Sequence, residues 1–169
     1  MNNILLNILR FILLIAIQVL ICNNVHLFGF LNPYIYILAI LLLPLDIPKS
    51  GQYLAAFCAG FAVDCFFLTY GVHASAALLV AFVRPQWIYL MNGRRINEID
   101  IPLPGAKDLK WLIFYTFPLI FIHHYAITLL ETFSFKNFWL NTAIAVGNGI
   151  FTTIVILCIE YIFISPKRR

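Results

Sequence analysis

The sequence contains few charged residues. Only 11% of its 169 residues are Asp, Glu, Lys or Arg, whereas about 25% is usual for a soluble domain. Hydrophobic residues make up 63% of the chain, against roughly 45–50% in soluble domains. A soluble globular protein is therefore excluded, and we expect a chain whose outer surface is as apolar as its interior.

The sequence also lacks the patterns that mark common enzyme chemistry. It has no H-E-x-x-H zinc motif, no G-x-S-x-G nucleophile motif and no glycine-rich phosphate loop. Its four cysteines show no C-x-x-C spacing. His123 and His124 are adjacent, so on a helix they point about 100° apart and cannot both face one metal ion. The sequence thus predicts no catalytic residues, no metal site and no cofactor.

Long apolar runs make up most of the chain. A helix needs about 20 apolar residues to cross a bilayer, and hydropathy with turn residues predicts six such helices, at 4–22, 27–45, 51–70, 72–91, 111–130 and 138–164. Five is the alternative, with the second run, which lies between Pro33 and Pro44, as a re-entrant segment. The predicted fold is an all-α integral membrane protein, a single domain formed by a compact bundle of six transmembrane helices.

The positions of the few charges predict the orientation of the chain. With six spans both termini share one side of the membrane. Ten of the eleven basic residues fall on or toward that side, and only Lys136 falls on the other. Because basic residues accumulate in cytoplasmic loops, both termini are expected in the cytoplasm. The net charge of +4 is then a topology signal and does not indicate binding to nucleic acid.

The longest polar segment is a predicted cytoplasmic loop over residues 92–110, and a basic cytoplasmic tail follows at 165–169. The basic residues of the loop are Arg94, Arg95, Lys107 and Lys110. One interpretation is a solvated connector held on anionic lipid. The other is a docking segment for a cytoplasmic partner, which an extended, proline-containing stretch favours.

Asp64 is an ionisable residue inside an apolar run. Such a residue is costly in a membrane and marks a functional hypothesis. Ala56, Gly60 and Asp64 recur every four residues and share one helix face, where small residues allow another helix to approach closely. We expect Asp64 to be buried, with His73 or the backbone N–H groups that begin the fourth helix as its partners. In the first interpretation Asp64 has a structural role and links its helix to these partners. In the second it binds a ligand or takes part in a proton relay.

The sixth helix carries a stripe of polar residues. Asn141, Asn148 and Thr152, with Ala145 and Gly149 between them, lie on one helix face. This pattern predicts packing against another helix, and the alternative is that the stripe lines a cavity for a small molecule.

The third and fourth helices resemble a known family. Residues 60–64 read G-F-A-V-D and are followed by Gly71 and the Ala/Leu-rich run 74–81. This resembles the G-x-x-x-D-x-x-x-x-x-x-G signature of the rod shape-determining protein MreD family. The Asn-Pro pair at 32–33, which enters a short second helix ending near Pro44, is similar too, as are the length, the six spans and the basic tail. The aromatic-rich, His-containing outer half is more similar to a Bacteroidetes-type member.

The resemblance implies a non-enzymatic scaffold of the bacterial cell-elongation machinery in the cytoplasmic membrane, with Gly60, Asp64 and Gly71 in helix packing. The implied partners are MreC and, through it, MreB, RodA and a class B penicillin-binding protein. The family is also similar in fold to the S-components of energy-coupling-factor transporters, so a vitamin-binding transport subunit is the alternative. S-components carry an A-x-x-x-A patch on the first helix, whereas residues 4–22 contain only Ala16, which favours the scaffold.

Overall fold

The chain folds into α-helices. The computed structural model describes residues 3–22, 32–93, 109–132 and 138–163, and these ranges contain no β-strand. The helices are α1 (Asn3–Leu20), α2 (Ile37–Leu41), α3 (Lys49–Phe67), α4 (Val72–Asn92), α5 (Leu109–Thr132) and α6 (Phe138–Phe163). The predicted all-α class is therefore confirmed.

Three helices have the length and apolar composition needed to cross a membrane. They are Val72–Asn92, Leu109–Thr132 and Phe138–Glu160, and Leu5–Leu20 is a shorter apolar helix. Many large apolar side chains point outward, as in an environment of lipid. These features indicate a membrane protein.

Neighbouring helices in the sequence are also the main neighbours in space: α3 packs on α4, α4 on α5, and α5 on α6. Pro118 lies inside α5 and has no N–H, so the carbonyl of Phe114 loses its helical donor. The indole Nε1 of Trp87 on α4 donates to this carbonyl over 3.0 Å. The α4–α5 contact thus satisfies a backbone group that the proline leaves open.

The second predicted span differs from the structure. Instead of a continuous helix over 27–45, its described part contains only the five-residue helix α2, with non-helical backbone before and after it; residues 27–31 lie outside the described ranges. We call residues 32–48 the inner segment. Residues 33–41 are all buried, so this stretch runs inside the bundle.

The predicted cytoplasmic loop falls largely on residues that the structure does not describe. Arg94, Arg95 and Lys107 lie outside the described ranges, as does the tail 165–169. Lys110 is in the first turn of α5 and is exposed.

Candidate functional site

The inner segment contains buried backbone groups that have no hydrogen-bond partner within a helix. Backbone N–H and C=O groups that are not paired within a helix must find other partners when they are buried away from water. Tyr36, Ile37 and Ile40 in this segment are fully inaccessible. The buried polar side chains around the segment are therefore its candidate partners.

Three side chains from two helices accept hydrogen bonds from the start of the inner segment. The N–H of Asn32 donates to Oδ1 of Asn148 over 2.7 Å. Two residues later the N–H of Tyr34 donates to Oγ1 of Thr152 over 3.2 Å. The N–H of Tyr36 donates to Oε1 of Gln18 on α1 over 3.3 Å, so alternate N–H groups before α2 are satisfied by α6 and α1.

Arg84 holds the other end of the inner segment. Its Nη2 donates to the carbonyl oxygens of Leu41 and Leu43 over 3.0 and 2.6 Å. Its Nε donates to the hydroxyl of Tyr115 over 2.7 Å, and that hydroxyl donates to Leu41 over 2.8 Å. Arg84 is 1% exposed. A buried cation thus replaces the helical donors that α2 lacks at its C-terminal end.

Aromatic and histidine rings fill the space beside the inner segment. The ring of Tyr34 stacks on His124 at a centroid distance of 4.9 Å, and His73 meets its edge at 5.1 Å. The hydroxyl of Tyr36 lies 2.5 Å from Nε2 of His123, and Nε2 of His124 lies 2.9 Å from Oγ1 of Thr152. His73, His123 and His124 therefore pack around the inner segment.

The carboxylate of Asp64 joins α3 to the start of α4. Oδ1 accepts from the N–H of His73 over 2.9 Å and from the hydroxyl of Thr69 over 2.5 Å. Oδ2 accepts from the N–H of Ala74 over 2.8 Å, and Nδ1 of His73 lies 3.1 Å from Oδ1. Both kinds of partner expected from the sequence contact Asp64, which caps α4 from a neighbouring helix.

Two glycines shape the same joint between α3 and α4. A Cβ atom at Gly60 would lie 2.5 Å from the Cα atom of Ala74 and from the carbonyl oxygen of His73, so the two backbones are in direct contact there. Gly71 has a φ of +94° at the start of α4, where a side chain would add strain. We call Gly60, Asp64, Thr69, Gly71 and His73 the hairpin joint.

The polar residues of the stripe on α6 make two kinds of contact. Asn148 and Thr152 bind the backbone of the inner segment, whereas the sequence predicted that they face a helix or a cavity. The amide of Asn141 donates to Oγ1 of Thr132 at the end of α5 over 3.3 Å. Sequence reasoning missed the roles of Gln18 and Tyr115, because a single polar group in an apolar run gives no sign of what it contacts.

Replacing Asp64 with leucine is expected to weaken the hairpin joint. The substitution leaves the N–H groups of His73 and Ala74 buried without an acceptor, and a hydrogen bond to a charged group is worth about 1.5–3 kcal/mol. We therefore expect a clearly lower melting temperature in detergent and a lower protein level in membranes. Glu131→Leu, at an exposed carboxylate near the end of α5, is the control and should melt like the wild type. Equal stability of the two variants would show that Asp64 is dispensable.

Comparisons with known protein families, curated proteins and solved structures find no match for this chain. Within the described ranges, no group of three or more His, Cys, Asp and Glu side chains is arranged to hold a metal ion.

Proposed function

We propose that this protein is a non-enzymatic scaffold of the bacterial rod-shape machinery, a member of the MreD family that binds MreC in the cytoplasmic membrane. Through MreC it would connect to MreB, RodA and a class B penicillin-binding protein, and so help to organise peptidoglycan synthesis. In this proposal the chain is a single bundle that crosses the bilayer six times, with the inner segment as the second crossing and both termini in the cytoplasm.

Five buried polar side chains bind the backbone of the protein itself. Gln18, Arg84, Asn148 and Thr152 hydrogen-bond to the backbone of the inner segment, and Asp64 hydrogen-bonds to the start of α4. Polar groups inside a membrane protein commonly mark a substrate or ion pathway. These five side chains instead bind the protein's own backbone, which favours a protein that acts through its outer surface.

The residues of the family signature support the same proposal. Gly60 and Asp64 contact the first turn of α4, which begins after Gly71, so the signature residues lie where two helices are in backbone contact and are joined by a carboxylate. A scaffold requires this kind of rigidity, because a preformed surface binds a partner without first losing conformational freedom.

Co-purification tests the proposed partner. Tagged protein extracted in mild detergent from the organism that encodes it should carry MreC at a stoichiometric level. A tagged multi-pass protein of the same membrane serves as the background control. Absence of MreC from cross-linked and uncross-linked preparations would contradict the proposal. A vitamin retained in native mass spectra of the same preparation would favour the S-component-like transport subunit.

A further inference from the structure

A crevice beside α1 contains two side chains of opposite charge. It lies between the first half of α1, the end of the inner segment and α3, and has a volume of about 700 Å³, within the roughly 300–1,000 Å³ of ligand sites. Its walls are mainly apolar and include Phe11 and Leu43, and its charged members are Arg10 and Asp46. The crevice therefore has the make-up of a site for an amphipathic molecule.

Neither of these charges is paired within the part of the chain that the structure describes. The one ion pair in the described ranges joins His73 to Asp64, and neither Arg10 nor Asp46 has a hydrogen-bond partner among the described residues. Arg10 follows the start of α1 by seven residues, about 10 Å along the helix. An arginine at this position in an apolar helix is costly unless it is paired or reaches a polar headgroup.

The packing of α1 keeps the crevice accessible. α1 packs much less extensively on α2 and α3 than α3 packs on α4. The opposite wall is fixed, because the carbonyl of Leu43 is held by Arg84 over 2.6 Å. The crevice thus has one firm wall and one wall formed by a lightly packed helix.

We propose that this crevice binds a phospholipid with a phosphoethanolamine headgroup. Arg10 donates to the phosphate, Asp46 accepts from the ammonium group, and an acyl chain lies along Phe11 and Leu43. Phosphatidylglycerol offers no cation to Asp46, and the quaternary ammonium of phosphatidylcholine has no N–H to donate. This inference rests on the membrane setting of the proposed function but does not depend on MreC.

Native mass spectrometry of the purified full chain tests the inference. The protein is delipidated in detergent and then given dioleoyl phosphatidylethanolamine, phosphatidylglycerol or phosphatidylcholine, one at a time. We expect the ethanolamine lipid to be retained up to about fivefold more strongly than the other two, because an ion pair at an exposed carboxylate is worth up to about fivefold in affinity. Equal retention of all three lipids, or preference for phosphatidylglycerol, would overturn the proposal.

Variants test whether the lipid preference arises from binding in the crevice. Arg10→Gln and Asp46→Asn should each reduce retention of the ethanolamine lipid by up to about fivefold, while Lys49→Gln, at an exposed cation outside the crevice, should leave it unchanged. Asp46 is exposed before α3, so Asp46→Asn remains informative if Arg10→Gln fails to fold. Wild-type retention by Asp46→Asn, or a lipid-free dimer of the wild type, would contradict the site. Lipid retention without MreC co-purification would refute the proposed function alone.

Discussion

Replacing Gly60 with alanine is expected to be strongly destabilising. The new Cβ would lie 2.5 Å from the Cα atom of Ala74 and from the carbonyl oxygen of His73. These are backbone atoms, so α4 as a whole must move, and the bonds from Asp64 to its first turn must lengthen. Overpacking usually costs about 1–3 kcal/mol, and we expect the upper end, seen as a lower melting temperature and a lower level in membranes.

Gly149→Ala is the matched control. The added Cβ on α6 would lie 3.7 Å from the Cα atom of Phe121, an ordinary van der Waals distance. Because alanine is favoured over glycine inside a helix by about 0.5–1 kcal/mol, this variant should equal or exceed the wild type in thermal stability. If the Gly60 and Gly149 variants melt at the same temperature, the close contact between α3 and α4 is wrong.

Replacing Arg84 with methionine is expected to release the inner segment. The change removes the donors to the carbonyl oxygens of Leu41 and Leu43 and to the hydroxyl of Tyr115. Hydrogen bonds from a charged donor are worth about 1.5–3 kcal/mol each, so the loss of two or more costs about 3 kcal/mol or more. The measurement is the unfolding midpoint in detergent, together with the fraction of monodisperse protein.

Two comparison variants separate the effect of these hydrogen bonds from the effect of the charge. Arg84→Lys keeps the charge but replaces the planar guanidinium, with its several N–H donors, by a compact ammonium group. The stability of this variant should therefore fall between those of the wild type and Arg84→Met. Lys49→Met removes an exposed cation at the start of α3 and should change stability by no more than about 0.5 kcal/mol. A methionine variant at position 84 that is as stable as Lys49→Met would contradict the role assigned to Arg84.

The sequence predicted the long helices well because each has a strong local signal. The runs 51–70, 72–91, 111–130 and 138–164 coincide with α3 to α6 to within three residues at each end. The partners of Asp64 could also be predicted, since a carboxylate one turn before the end of a helix can reach the start of the next helix. In these places the interactions that decide the structure are close in the sequence.

The inner segment was not predictable in the same way. Hydropathy gives the same value for an apolar run whether it is a helix in lipid or a short, interrupted helix inside a bundle, and only Pro33 and Pro44 indicated an interruption. The side chains that stabilise the interrupted form come from four helices: Gln18, Arg84, Tyr115, Asn148 and Thr152. No local pattern connects residues so far apart.

Depletion of the protein in the organism that encodes it tests the central claim most directly. We expect cells to lose their rod shape and become round, and added vitamins should not restore the shape. A plasmid copy carrying Gly149→Ala should restore it, whereas one carrying Gly60→Ala should not. Cells that remain rods while their growth comes to depend on an added vitamin would contradict the scaffold and establish a transport role.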